Sequence, residues 1–262
     1  MSTSKPCRIP SLVKKYLMAI SGLVLVLFII GHMLGNLQFF LGPDVINAYA
    51  FHLHHLPGAP VTLWLIRGSL LAFLAIHVWM AILLTQENRA ARPESYLGQK
   101  SLVSTYASRT MPVSGVLILA FIVFHILQYT TRVVPEHYNE TIGESMIEVG
   151  HVPLEYFDVF AMMVSGFSSP IISLFYIVTM GLLCMHLSHG VASMFQSVGL
   201  RNEAWRYKLK CAAAVFGWVI FLGFASIPAA VLAGFGKDYL AEKQAIWSGA
   251  APATQTAPAA HH

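Results

Sequence analysis

Charge is scarce in this chain: Asp, Glu, Lys and Arg make up 11% of its 262 residues, against the roughly 25% usual in soluble domains. A hydrophobic share of 56% and a mean hydropathy of +0.63 accompany it. That balance excludes an ordinary soluble enzyme and points to an integral membrane protein. Cysteine is scarce as well. Cys7, Cys184 and Cys211 lie far apart, which excludes a disulfide framework and a zinc site. No Cys-x-x-Cys-His string occurs, so a haem bound here would be held by its axial ligands alone, as b-type haem is.

What the chain has instead is long apolar runs. They span roughly 13–41, 61–86, 110–133, 169–199 and 208–235, each meeting the requirement of about 20 residues for a membrane-crossing helix. The expected fold is therefore all-α, a bundle of five transmembrane helices, with the termini on opposite sides. The first run is too long for the core of a signal peptide and lacks a small-residue cleavage site, so it reads as a retained helix. Residues 1–12 are expected to form a cytoplasmic N-terminal segment, 13–235 the membrane domain, and 236–262 an outer tail, largely disordered. From Ser248 onward that tail is Ala, Pro, Thr, Gln and His.

Orientation follows from the positive charges. With the N-terminus cytoplasmic, the inner side carries Lys5, Arg8, Lys14, Lys15, Arg89, Arg92, Lys100, Arg109, Arg201, Arg206, Lys208 and Lys210, twelve of the sixteen Lys and Arg. The positive-inside rule then sets N-terminus in and C-terminus out. Acid is concentrated on the other face. Only Glu87, Glu94 and Glu203 fall inside, while Glu136, Glu140, Glu144, Glu148, Glu155 and Asp158 crowd the long third connection, about 134–168. The apolar residues of that connection, Met146, Val149, Val152, Leu154, Phe157 and Phe160, predict a cap on the membrane surface. Ser168-Ser169-Pro170 then opens the fourth helix, since Ser caps orphan N–H groups and Pro at the first turn needs none.

Four histidines sit inside four of these runs, one each. Counted from Lys15, Pro60, Arg109 and Pro170, His32, His77, His125 and His186 lie 17, 17, 16 and 16 residues in. An ionisable side chain in hydrocarbon is costly, so a functional role is the default reading. Helices I and III run outward and carry His32 and His125, at roughly 24–26 Å along the axis, toward the outer side. Helices II and IV run inward and carry His77 and His186 toward the inner side. Six-coordinate haem takes two imidazoles from different helices across one macrocycle. The expected iron ligands are therefore His32 with His125 for an outer haem and His77 with His186 for an inner one. Gly31 and Gly35 around His32, and Gly190 one turn after His186, suit a flat macrocycle close to backbone, although small residues at this spacing also serve plain helix packing.

His189, three residues after His186, is a candidate for the haem edge or an alternative ligand. His52, His54 and His55 fall in the outer connection between helices I and II, either as surface histidines or near the entrance for an amphipathic ligand. Arg67 is placed to pair with an outer propionate, as a guanidinium pairs with carboxylates, or to snorkel to the interface.

The segments Ser21-Gly22 through Gly31-His32, Ile76-His77, Phe124-His125 and His186-Leu-Ser-His-Gly190 through Gly199 resemble the cytochrome b membrane anchor of succinate dehydrogenases and fumarate reductases of the single-chain, five-helix, di-haem type. The resemblance covers about 11–235. It implies a flavoprotein subunit and an iron–sulfur subunit on the cytoplasmic face of a prokaryotic inner membrane. Electrons would pass between succinate or fumarate and a quinone, usually menaquinone. The chain would be the electron-transfer subunit, without a succinate-oxidising site of its own, and a higher oligomer of the complex stays open. No nucleic-acid partner is expected. Some fumarate-reducing members carry a Glu near the outer quinone site and another two positions before the helix IV histidine. Here Asp44 is the only acid of the first connection and Cys184 holds the second place, so a proton path through that Glu is not expected.

Two other readings share parts of this pattern. A cytochrome b of a hydrogenase or formate dehydrogenase would keep the four ligands and change the partners. A non-haem membrane di-iron enzyme would use histidine boxes, as His52-Leu-His-His55 and His186-Leu-Ser-His189 superficially do. The predicted topology puts those two sets on opposite sides, which disfavours a shared metal centre.

Overall fold

The computed structural model describes residues 9–91, 106–134, 142–149, 152–197, 199 and 202–250. Lys5, Arg8, Arg92, Glu94, Lys100, Glu136, Glu140 and Arg201 lie outside the described residues. Among the described residues, five helices are long and apolar enough to cross a membrane: Ser11–Leu41, Val61–Ala90, Met111–Thr130, Pro170–Ser197 and Glu203–Leu232. The chain is a multi-pass, essentially all-α membrane bundle.

In chain order, α1 spans Ser11–Leu37 and tightens into a 3₁₀ turn, Gln38–Leu41. Gly42, at φ +103°, makes the break, and α2 follows over Pro43–His54. The second crossing, α3, is Val61–Ala90, and the third, α4, is Tyr106–His125 with a π turn at Ile126–Thr130. An antiparallel hairpin, β1 Glu144–Val149 and β2 Val152–Phe157, leads into α5, Val159–Phe167. The fourth and fifth crossings are α6, Pro170–Ser197, and α7, Glu203–Leu232. Pro170 opens α6 in the first-turn position its missing N–H allows, and the Asn202 side chain caps α7 by accepting from Trp205 N–H at 2.9 Å.

The crossings pack through small residues. A Cβ added at Gly217 of α7 would fall 2.7 Å from the carbonyl oxygen of Cys184 on α6, so only glycine permits this approach. Their outward faces carry Trp64, Leu65, Val116, Ile171 and Leu222, all more than 60% exposed, as a lipid-facing surface requires. At one end of the bundle the Lys14 ammonium pairs with the Glu87 carboxylate, and the Ser11 hydroxyl donates to Glu87 at 2.9 Å, joining the start of α1 to the end of α3. The basic residues Lys15, Arg89, Arg206, Lys208 and Lys210 belong to this same end.

The opposite end is closed by a cap that departs from the expectation in three respects. The connection holding His52, His54 and His55 is a helix, α2, because Pro43 and Asp44 supply a helix start. The long third connection contains a β-hairpin, because Ser145 and Ile147 point inward and Glu144 and Met146 outward, the period of two that a strand needs. The tail assigned to disorder from residue 236 begins instead with a helix, α8, Lys237–Trp247. Leu240 of α8 is buried, and Trp247 Nε1–H donates to the Glu144 carbonyl at 2.9 Å, so packing against the cap orders this segment. Residues 251–262 of the tail lie outside the described residues.

Asp158 is the centre of the cap. Fully buried, its carboxylate accepts from Asn47 Nδ2 at 3.1 Å, Ser145 Oγ at 2.7 Å, Tyr239 Oη at 2.6 Å and the Ala161 N–H at 2.9 Å. One side chain thus joins α2, β1 and α8 while capping α5. Around it Phe39, Ile46, Phe160, Val164, Val231 and Leu240 form an apolar core.

Candidate functional site

The helices bring the four spaced histidines together as two pairs. His32 of α1 and His125 of α4 have ring centroids 5.7 Å apart with planes at 86°. His77 of α3 and His186 of α6 are 6.4 Å apart with planes at 60°. Two imidazoles bound to opposite faces of one metal, at about 2 Å per bond, place their centroids about 6 Å apart. Both pairs therefore have the separation that axial ligation demands.

The levels of the two pairs can be read from the helices themselves. Gly22 abuts His77, a Cβ there falling 3.3 Å from His77 Cε1, and His32 lies ten residues further along α1. Gly115 lies beside His186, at 3.7 Å, and His125 lies ten residues further along α4. Both intervals correspond to about 15 Å of helix. The His77/His186 pair is nearer the Lys14–Glu87 end and the His32/His125 pair nearer the cap.

Around the rings the surroundings are apolar and tight on some sides and open on others. Phe28 stacks on His32 at 5.3 Å and Phe121 on His125 at 5.8 Å. Nothing lies within 4 Å of a Cβ added at the exposed Gly31 or at Gly190, which leaves space next to the histidine-bearing turns of α1 and α6. Gly35 differs: a Cβ there would fall 2.7 Å from the Tyr49 hydroxyl, so this glycine serves packing of α1 against α2.

Three ring nitrogens face hydroxyls. Nδ1 of His77 is 3.4 Å from Ser21 Oγ, Nδ1 of His186 is 3.3 Å from Ser114 Oγ, and Nδ1 of His125 is 3.3 Å from Tyr176 Oη. Tyr176 Oη in turn donates to Oε1 of the fully buried Gln128, in the π turn directly after His125. Sequence reasoning missed these hydroxyls, yet a signal was present. Ser21 and Ser114 stand eleven residues before His32 and His125, and Tyr176 ten before His186. Each is therefore at the level of the pair to which its own helix does not contribute the histidine.

The remaining candidates are placed elsewhere. His189 has its Nε2 3.2 Å from Ser193 Oγ on its own helix, so the ring that meets His77 is that of His186. Arg67 lies ten residues before His77, at the His32/His125 level, with its guanidinium over the Trp64 ring at 5.5 Å. His52, His54 and His55 are exposed at the end of α2. His54 Nδ1 is 3.0 Å from Tyr156 Oη, and His55 stacks on Phe51 at 3.9 Å. Among the described residues none of the three touches a ring of either pair. No group of three or more His, Cys, Asp or Glu able to hold a metal occurs among the described residues, so the two histidine boxes do not converge on one centre.

No curated protein and no solved structure matches the chain. The family described as succinate dehydrogenase/fumarate reductase transmembrane subunit matches residues 85–225, more than half of the chain, including all of α4 and α6 and most of α7. Five apolar crossings and a family match of this extent lead to one assignment: the chain belongs to the transmembrane subunits of succinate dehydrogenase and fumarate reductase.

Proposed function

We propose that this chain is the di-haem cytochrome b that anchors a succinate:quinone oxidoreductase in a prokaryotic inner membrane. It relays electrons between an iron–sulfur subunit and a membrane quinone, menaquinone or a relative. The observation that carries this reading is the pair of imidazole pairs at 5.7 and 6.4 Å, stacked on two levels within one bundle. Haem, when bound, supplies a one-electron Fe(III)/Fe(II) couple.

The residues present fit that group by donor chemistry, ring separation and the space beside Gly31 and Gly190. His32 and His125 would hold one haem, His77 and His186 the other. Four half-buried rings on apolar membrane helices are costly without a partner for their nitrogens, and a metal is the partner such pairs suit. Two levels about 15 Å apart divide a hydrocarbon core of about 30 Å. Arg67 is the one cation on α3 at the cap-side level, which makes it the candidate propionate partner.

Lys15, Arg89, Arg206, Lys208 and Lys210 present positive charge at the end nearer His77 and His186. This is the proposed cytoplasmic docking face for the iron–sulfur and flavoprotein subunits. Quinone turnover is assigned to the cap side, with His52, His54 and His55 in its vicinity. Purification through a tag on this chain tests the reading. A flavoprotein and an iron–sulfur protein should accompany it and reduce a quinone analogue with succinate. Recovery of the haem-bearing chain with hydrogenase or formate dehydrogenase subunits would contradict it.

A further inference from the structure

Three of the paired histidines face a hydroxyl whose hydrogen is already committed. Ser21 Oγ–H donates to the Leu17 carbonyl at 2.7 Å, Ser114 Oγ–H to the Met111 carbonyl at 3.1 Å, and Tyr176 Oη–H to Gln128 Oε1 at 2.7 Å. A hydroxyl has one hydrogen, so toward the imidazole each of these oxygens can only accept. The proton of His77, His186 and His125 must then sit on Nδ1, which leaves the lone pair of each neutral ring on Nε2.

We propose that Ser21, Ser114 and Tyr176, the last backed by Gln128, are positioning residues that lock His77, His186 and His125 as Nδ1–H tautomers with Nε2 offered to iron. The proposal rests on the di-haem reading above. A ligating histidine held through its other ring nitrogen is fixed in orientation and made more basic. His32 is held differently: Phe28 stacks on it and Phe224 leans against it at 5.9 Å. The level nearer Lys14 thus has two hydroxyl-tethered ligands, and the cap-side level has one.

The tethers also cross between levels. Helix α1 carries Ser21 for one pair and His32 for the other, α4 carries Ser114 and His125, and α6 carries Tyr176 and His186. A slip of any of these helices by one turn, about 5.4 Å, would break a ligand at one level and a tether at the other. Helix register and ligand geometry are therefore specified together.

Losing an acceptor at Nδ1–H makes the imidazole a weaker donor to ferric iron, so the midpoint potential of that centre alone should rise. The test is potentiometric titration, followed by visible and low-spin EPR spectra, of the purified complex with Tyr176→Phe, Ser21→Ala or Ser114→Ala. His32→Ala and His77→Ala assign the two signals. Tyr176→Phe should raise the midpoint of the His32/His125 centre and leave the other unmoved. Ser21→Ala and Ser114→Ala should do the reverse, and Ser21→Thr and Ser114→Thr, which keep the hydroxyl, should restore the unmodified value. If a serine variant loses its haem, recovery in the threonine variant supports the same role. Unmoved midpoints in all three variants, a shift at the wrong centre, equal effects of Ala and Thr, or equal loss of both haems from Tyr176→Phe would overturn the proposal. Absence of haem from the unmodified chain would instead overturn the di-haem reading.

Discussion

Under the proposed di-haem reading each paired histidine shares one metal with one partner, and this makes the four rings separable by mutation. His32→Ala or His125→Ala should remove the cap-side centre and leave the other, halving the haem b content. His77→Ala or His186→Ala should leave the complementary half. His189→Ala should retain both, because its nitrogen faces Ser193. Low-spin EPR signals, one per centre, provide the check, and loss of the same signal from His32→Ala and His77→Ala would break the pairing. Asp158 is the residue on which the cap depends. Asp158→Ala leaves four donors of the cap without their acceptor, three of them buried, at a cost of about 3 kcal/mol or more. The expected result is a lower thermal midpoint in detergent and proteolysis beginning at α8, with the haem levels disturbed less than the cap.

At the scale of elements, the alkaline behaviour of the cap follows from α8. Burial, and then the neighbouring Asp158 carboxylate, raise the pKa of the Tyr239 phenol above its ordinary value. The folded cap thus holds this proton more tightly than the unfolded segment does. Its stabilising effect is complete below the ordinary tyrosine pKa of about 10 and is lost as pH rises beyond it. Trp247 fluorescence should report release of α8 above that pH, and Tyr239→Phe should abolish the dependence while weakening the cap at neutral pH.

The five crossings were legible in the sequence because hydrocarbon imposes length and composition directly, and the run at 61–86 sits within Val61–Ala90. The register of the histidines was legible because helical rise converts residue counts into depth. The cap was less so. The helical segment Lys237–Trp247 has no apolar face to announce it and is ordered by tertiary partners, Asp158 and the Glu144 carbonyl, that lie far away in sequence. The hydroxyls facing the imidazoles escaped notice because serine in a membrane helix usually bonds to its own backbone. Ser21 and Ser114 do so and lie within reach of a histidine nitrogen as well.

For the whole molecule, orientation decides which pair is cytoplasmic. Reporter fusions near Glu87 and Glu203 should be active in the cytoplasm and one near Glu144 outside, as the placement of Lys and Arg requires. A reversed result would exchange the inner and outer levels and leave the pairs intact. The central claim is that two imidazole pairs in one bundle each hold a b-type haem, and its most direct test is pyridine haemochrome quantitation of the purified chain, combined with a reduced-minus-oxidised redox titration. The account predicts two haem b per chain, reduced in two resolvable steps, and a chain carrying one haem or none would contradict it.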